Sequence, residues 1–153
     1  MSHVSQIELK IKSLEALKAA CARLGLIFAE NQHTYKWYGQ FMGDYPLPEG
    51  VKLEDLGKCH HAIRVPGARY EIGVVEKQGE YTLMWDFWHE GGLERVLGQG
   101  GGKLKQAYSV EQTKLVARRA GYQVKEKRTL MDRIRGTLGM QQVEGVRLTL
   151  RRY

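Results

Sequence analysis

The chain has 153 residues, 42% hydrophobic and 27% charged, which is the size of one domain and too apolar for a chain that stays disordered by composition. No apolar run approaches the roughly 20 residues that span a bilayer, and the opening MSHVSQIELK lacks the apolar core and cleavage signal of a secretory leader. A single α+β domain over residues 1–153, cytoplasmic and without a membrane partner, is therefore expected, and Cys21 and Cys59 are expected as reduced thiols. The formal charge of +7 is uneven: residues 1–102 carry 11 Lys and Arg against 13 Asp and Glu, and residues 103–153 carry 13 against 4. So basic an end favours an anionic partner, although a solvated face that only keeps the protein soluble has the same composition.

Ile7, Leu9 and Ile11 alternate with Gln6, Glu8, Lys10 and Lys12, the two-residue period of a half-buried strand. Ser13 then suits a helix N-cap, Glu15 the positive end of the helix, and Leu14, Leu17, Cys21 and Leu24 recur at helical spacing up to a stop at Gly25. Leu26 to Phe28 begins a second extended stretch, and His33 to Tyr38 either continues it or pairs back as a hairpin. Residues 39–58 contain Pro46 and Pro48 beside Gly43 and Gly50, which predicts an irregular surface excursion.

A meander follows: His60 to Val65, a turn at Pro66 and Gly67, Tyr70 to Lys77, a tight reversal at Gln78 and Gly79, and Glu80 to Trp88. Tyr81, Leu83, Trp85 and Phe87 share one face, and Thr82, Met84, Asp86 and Trp88 the other. The glycine-rich connection 91–102 contains a short helical turn, Leu93 to Leu97, and then loosens at Gly98 to Gly102. KLKQAYSVEQTKLVARRAG reads as a helix ending at Gly121, with a second candidate start at the Ser109 and Gln112 capping box.

Tyr122 to Arg128 and Val146 to Arg151 read as strands. If they pair, Lys125, Lys127, Arg147 and Arg151 are brought together on the outward face and repel one another unless solvated or met by anions. Leu148 and Leu150 are expected to face the core, and Thr129 to Gln142 is left between a short amphipathic helix and a loop. The fold class is α+β: an antiparallel sheet with two main helices packed on one face, with a ferredoxin-like arrangement as the first topology to consider.

Four blocks together carry a resemblance: MSHVSQIE, YEIGVVEKQGEYTLMWDFW, KLKQAYSVEQTKLVARRAGYQV and VRLTLRR. In order and spacing they resemble the hypothetical chloroplast reading frame thirty-five family, a domain of unknown function also seen in cyanobacteria, other bacteria and phages. The likeness covers nearly the whole chain, but the excursion at residues 39–58 and the segment after Arg128 match it poorly. It implies no activity and supplies no catalytic residue; relatives encoded beside AAA-type ATPases imply an accessory role with such a partner.

GQGGGK invites comparison with a phosphate loop, but Leu97 stands in the first glycine position of that pattern and Leu104 in the place of its magnesium-binding hydroxyl. What remains is anion binding at a helix start, helped by Lys103 and Lys105. Cys59, His60 and His61, with Asp86 and His89, are metal-ligand types without the paired spacing of a zinc site, and neither Cys59 with a histidine nor Asp86 with Glu90 sits in a nucleophile motif. No enzyme activity, cofactor or metal is expected. The leading expectation is a non-catalytic adaptor for a protein partner. The alternative is a nucleic-acid-binding module using Lys125, Lys127, Arg128, Arg133, Arg135, Arg147, Arg151 and Arg152.

Overall fold

A computed structural model describes residues 2–131 and 143–152, except for the side chains at 127–131 and 143–145. The chain divides into two compact units, Met1–Ser109 and Val110–Tyr153, with the division inside a helix.

The first unit is built on five antiparallel strands in the order β1-β5-β4-β3-β2: β1 Val4–Ile11, β2 Ile27–Ala29, β3 His61–Arg64, β4 Glu71–Lys77 and β5 Glu80–Asp86. The expected tight reversal joins β4 to β5. Gln78 and Gly79 both have positive φ, 51° and 78°, the backbone of a two-residue turn whose twist matches the strands it connects, so Lys77 pairs directly with Glu80. This order is not ferredoxin-like. The first strand lies at an edge and pairs only with β5, because the β3-β4-β5 meander stacks by short hairpins and leaves no place in the middle for β1.

Register assigns the two faces. Ile7 pairs with Leu83, Leu83 with Val74, and Ile72 with Ile63, and all five are buried. Helices cover this face, as the patterning predicts. Helix α1, Leu14–Leu24, is capped by the Ser13 hydroxyl, which accepts from the Ala16 amide at 3.1 Å, and it buries Ala16, Leu17, Ala20 and Cys21. Gly25, at φ 72°, closes it: the Gly25 and Leu26 amides donate to the Ala22 and Cys21 carbonyls, the paired bonds that satisfy a helix end. Helix α2, Leu93–Leu97, adds Leu93 and Leu97. The first turns of α3, Gly102–Arg119, add Leu104, Ala107 and Tyr108. The Tyr108 hydroxyl accepts from the Lys12 and Ser13 amides at 3.0 and 3.3 Å, which fixes the start of α3 to the end of β1. The helix thus starts before the Ser109 capping box.

The opposite face carries a second core that the sequence did not announce. Val4, Tyr35, Cys59, Ala62 and Met84 are buried together, with Ala29, Trp37, Val51, Leu56 and Val75 packed against them. The stretch 39–58 is irregular, as expected, apart from one 3-10 turn at Leu53–Asp55. It is not a mere surface excursion, because Val51 and Leu56 seal apolar strand residues that would otherwise face water. His33 to Tyr38 forms no strand either: only Thr34 bridges, to Lys58, because Tyr35 turns inward onto Gly73. A Cβ at Gly73 would lie 2.6 Å from the Tyr35 Cε1 and 3.0 Å from its Cγ, so the ring occupies space that only a glycine leaves open.

Two buried carboxylates hold this segment to the sheet. Asp86, with no exposed surface, accepts from the His3 and Trp88 amides through Oδ1 at 2.9 and 3.0 Å and from the Tyr38 amide through Oδ2 at 3.1 Å. Glu71 Oε1 accepts from the Lys36 amide and the Gln32 side chain, each at 3.0 Å. A charge out of water is tolerated only when such bonds replace its hydration.

The second unit contains the rest of α3 and a two-stranded antiparallel sheet, β6 Tyr122–Met131 and β7 Val143–Arg152. The terminal strands pair with each other but do not join the five-stranded sheet, so the described residues form two sheets and not the one antiparallel sheet expected. A two-stranded ribbon has little to bury itself against, and Leu150 is accordingly 46% exposed instead of facing a core; Leu148 is half-buried.

Candidate nucleic-acid interface

Charge follows the division of the chain. Residues 1–109 carry 13 basic and 13 acidic side chains, and residues 110–153 carry 11 and 4, so the whole formal surplus of +7 belongs to the second unit.

The β6-β7 ladder sets Gln123 opposite Arg151 and Lys125 opposite Thr149. Gln123, Lys125, Arg147, Thr149 and Arg151 therefore share one face of the ribbon, and all five are exposed. Lys125 is the diagonal neighbour of both Arg147 and Arg151, about 7–8 Å apart in such ladders, where two like charges in water repel by about 0.6 kcal/mol. Arg118, from the last turn of α3, joins Gln123, Lys125, Thr149 and Arg151 around an open cleft of about 660 Å³. No ion pair among the described residues engages Arg118, Lys125, Arg147 or Arg151. Two of the unit's four acidic residues are drawn off elsewhere: Glu111 and Glu126 both meet Lys114, at 3.3 and 3.1 Å.

The predicted basic set is thus only partly gathered. Arg152 lies on the other face, opposite Tyr122, with its guanidinium 5.9 Å from the centre of that ring. Lys127 and Arg128 pair in the backbone with Arg147 and Val146, but their side chains lie outside the described residues, as do Arg133 and Arg135 altogether. Arg118 was missed, because arginines in the last turn of a helix, here Arg118 and Arg119, read as dipole partners.

The glycine-rich connection is ordered. Residues 99–101 form a 3-10 turn, with Gly101 buried against Ile7. Its Gly100 amide, the group an incoming anion would use, already donates to Glu94 Oε2 at 2.7 Å. Lys103 is exposed and Lys105 half-buried at the start of α3, beside an amide that has its own carboxylate.

Comparison with protein-family models, curated proteins and solved structures finds no match to the chain. The reading of this surface therefore rests on its own geometry.

Cys59, His60 and His61 do not converge. His60 Nδ1 accepts from the Glu76 amide at 3.0 Å, His61 Nδ1 from the Asn31 amide at 2.9 Å, and the Cys59 thiol donates to the Gln32 carbonyl at 3.2 Å. Among the described residues no three His, Cys, Asp or Glu side chains are grouped to hold a metal ion. Burial pushes the Cys59 thiol up to about 11, which leaves it neutral and a poor nucleophile at pH 7. Asp86, grouped with Glu90 or His89 in the sequence, is committed to three backbone amides. No helix among the described residues is long and apolar enough to cross a membrane.

Proposed function

We propose that the chain is a nucleic-acid-binding module whose contact surface is the cationic face of the C-terminal ribbon. The observation that carries this reading is the grouping of Lys125, Arg147, Arg151 and Arg118 on one exposed surface, without a carboxylate partner among the described residues, in the unit that carries the entire net charge. A surface meant only for solubility intersperses both signs, whereas aligned like charges lower the energy of an arriving polyanion. A two-stranded ribbon also has the width to enter the major groove of a duplex, and Gln123 and Thr149 on the same face supply donors and acceptors.

The test is the salt dependence of binding to a short duplex and to a single strand. Three phosphate contacts from Lys125, Arg147 and Arg151 contribute a slope of log affinity against log salt of about −2.7 on duplex and about −2 on single strands. The triple variant K125Q/R147Q/R151Q is expected to lose that part of the slope while keeping its fold. Absence of wild-type binding at low salt, or an unchanged slope in the variant, refutes the reading.

A second reading, an adaptor for a protein partner, has one observation in its favour. Tyr38, Met42 and Tyr45, in the stretch between β2 and β3, are 42%, 46% and 38% exposed, and aromatic and Met side chains are enriched at protein interfaces. On this reading the partner is a protein such as an AAA-type ATPase. It requires a complex that survives nuclease and high salt and is lost in Y38S/M42S/Y45S.

A further inference from the structure

The loop that covers the second face of the sheet does not cover all of it. Beside Val51 and Leu56 a cavity of about 350 Å³ remains, lined by Gln6, Val75, Lys77, Thr82 and Met84 from the sheet and by residues 50–60 of the loop. The register explains why the strand residues converge: Gln6 pairs with Met84 and Thr82 with Val75, so all four project from the same face, and Lys77 follows Val75 by two. The mouth stays open at Gly50, where φ is 78° and a Cβ would meet nothing within 4 Å.

The chemistry of the lining is lopsided. Its floor is apolar: Met84 and Cys59 are 5% and 8% exposed, with Val75 and Val51 beside them. Its polar groups are mostly donors without work in the fold. Among the described residues, neither the Gln6 amide, the Thr82 hydroxyl nor the Lys58 and Lys77 ammonium groups have a hydrogen bond or ion pair. The His60 ring accepts the Glu76 amide at Nδ1, so its proton is on Nε2 and that nitrogen donates. The one lining carboxylate, Asp55, is engaged by the Lys52 amide at 3.1 Å. Pockets of this volume with an apolar base and a few converging polar groups are the usual form of small-molecule sites.

We propose that this cavity binds a small organic anion, with an apolar body lying on Met84, Val75 and Val51 and a carboxylate or phosphate held by Lys58, Lys77 and His60. The site belongs wholly to the first unit and is independent of the ribbon. It differs from a phosphate loop because side-chain ammonium groups and an imidazole N–H, not backbone amides, meet the anion.

The experiment is an amide NMR titration of the full chain with four probes: benzoate, phenyl phosphate, benzyl alcohol and inorganic phosphate. Benzoate or phenyl phosphate is expected to move the Gln6, Val75, Thr82 and Met84 amides, the tighter of the two naming the head group. Benzyl alcohol, which lacks the charge, and inorganic phosphate, which lacks the apolar body, are each expected to bind at least about tenfold more weakly, a difference of about 1.4 kcal/mol. Lys58 and Lys77 are exposed, so K58Q/K77Q retains the wild-type spectrum elsewhere and is expected to weaken the organic anion about tenfold or more. The proposal is overturned if no probe moves these amides at about 10 mM, if benzyl alcohol or inorganic phosphate binds as tightly as the organic anions, or if K58Q/K77Q binds them unchanged.

Discussion

Replacing Gly73 by alanine tests whether the 30–59 segment belongs to the core. In an ordinary strand Gly→Ala removes backbone entropy from the unfolded chain and stabilises by about 0.4–1 kcal/mol. At position 73 the new methyl meets the Tyr35 ring, 2.6 Å from Cε1 and 3.0 Å from Cγ, and the ring is only 3% exposed among Val4, Cys59, Ala62 and Met84. Either the core shifts, as in overpacked interiors, or the ring leaves and forfeits its burial, so the net cost is about 2 to 4 kcal/mol. For a chain of this size that lowers Tm by about 5 to 15 °C.

Urea unfolding followed by tryptophan fluorescence measures it, since Trp37 and Trp85 both report on this unit. Gly102→Ala is the control. Gly102 is the first residue of α3, with helical φ and nothing within 4 Å of a Cβ, and its replacement is expected to be neutral or slightly stabilising. In a double-mutant cycle the penalty of G73A should disappear in a Tyr35→Ala background, giving a coupling of about 2 kcal/mol or more. If G73A lies within about 0.5 kcal/mol of wild type, or if its cost persists without the ring, Tyr35 does not hold the segment down and the second core is misassigned.

Asp86→Asn leaves one acceptor oxygen where three amides converge and turns an NH2 group toward at least one of those three donors; a loss of about 2 to 4 kcal/mol is expected in urea unfolding. Faster hydrogen exchange at the His3, Tyr38 and Trp88 amides should accompany it, and unchanged protection would show that the carboxylate is not the anchor. The two thiols give a pH dependence. Burial pushes Cys21 to about 12 and Cys59 to about 11 from an ordinary value of 9.0, so above pH 9 the unfolded chain releases thiol protons that the folded chain keeps. Their contribution to stability is complete below pH 9 and is lost as the pH rises toward 11 and 12. Stability should therefore fall between about pH 9 and 11 and fall less in C21A/C59A, and at pH 8 a thiol reagent should label the native protein far more slowly than the denatured one; equal labelling rates would contradict the burial.

The local elements were legible because their signals are local. Alternation located β1 and the β4-β5 hairpin, Ser13 and Gly25 bounded α1, and Gln78 and Gly79 marked the reversal, since capping and turn conformations depend on a few neighbouring residues. The outward placement of Lys125, Arg147 and Arg151 followed equally from the period of two. The sequence did not reveal Arg118 as their neighbour, because that proximity depends on how the end of α3 lies over β6 and not on any spacing along the chain.

Other features were decided only by packing. Pro46, Pro48 and their glycines correctly predicted irregular backbone, yet irregular chain can still fill a core, and only tertiary contact shows Val51, Leu56 and Tyr35 closing the second face of the sheet. Asp86 looked like a polar residue at a strand end, but the His3 and Tyr38 amides, distant in sequence, join the neighbouring Trp88 amide to make it a buried anchor. Glu94 takes the Gly100 amide because the turn at residues 99–101 folds back onto it. Short-range sterics and periodicity thus determined where this chain is helix, strand or turn. Which faces meet, which donors are used up and which cationic groups remain unpaired depended on residues brought together from far apart, and those long-range pairings also leave open the surfaces on which any function must act.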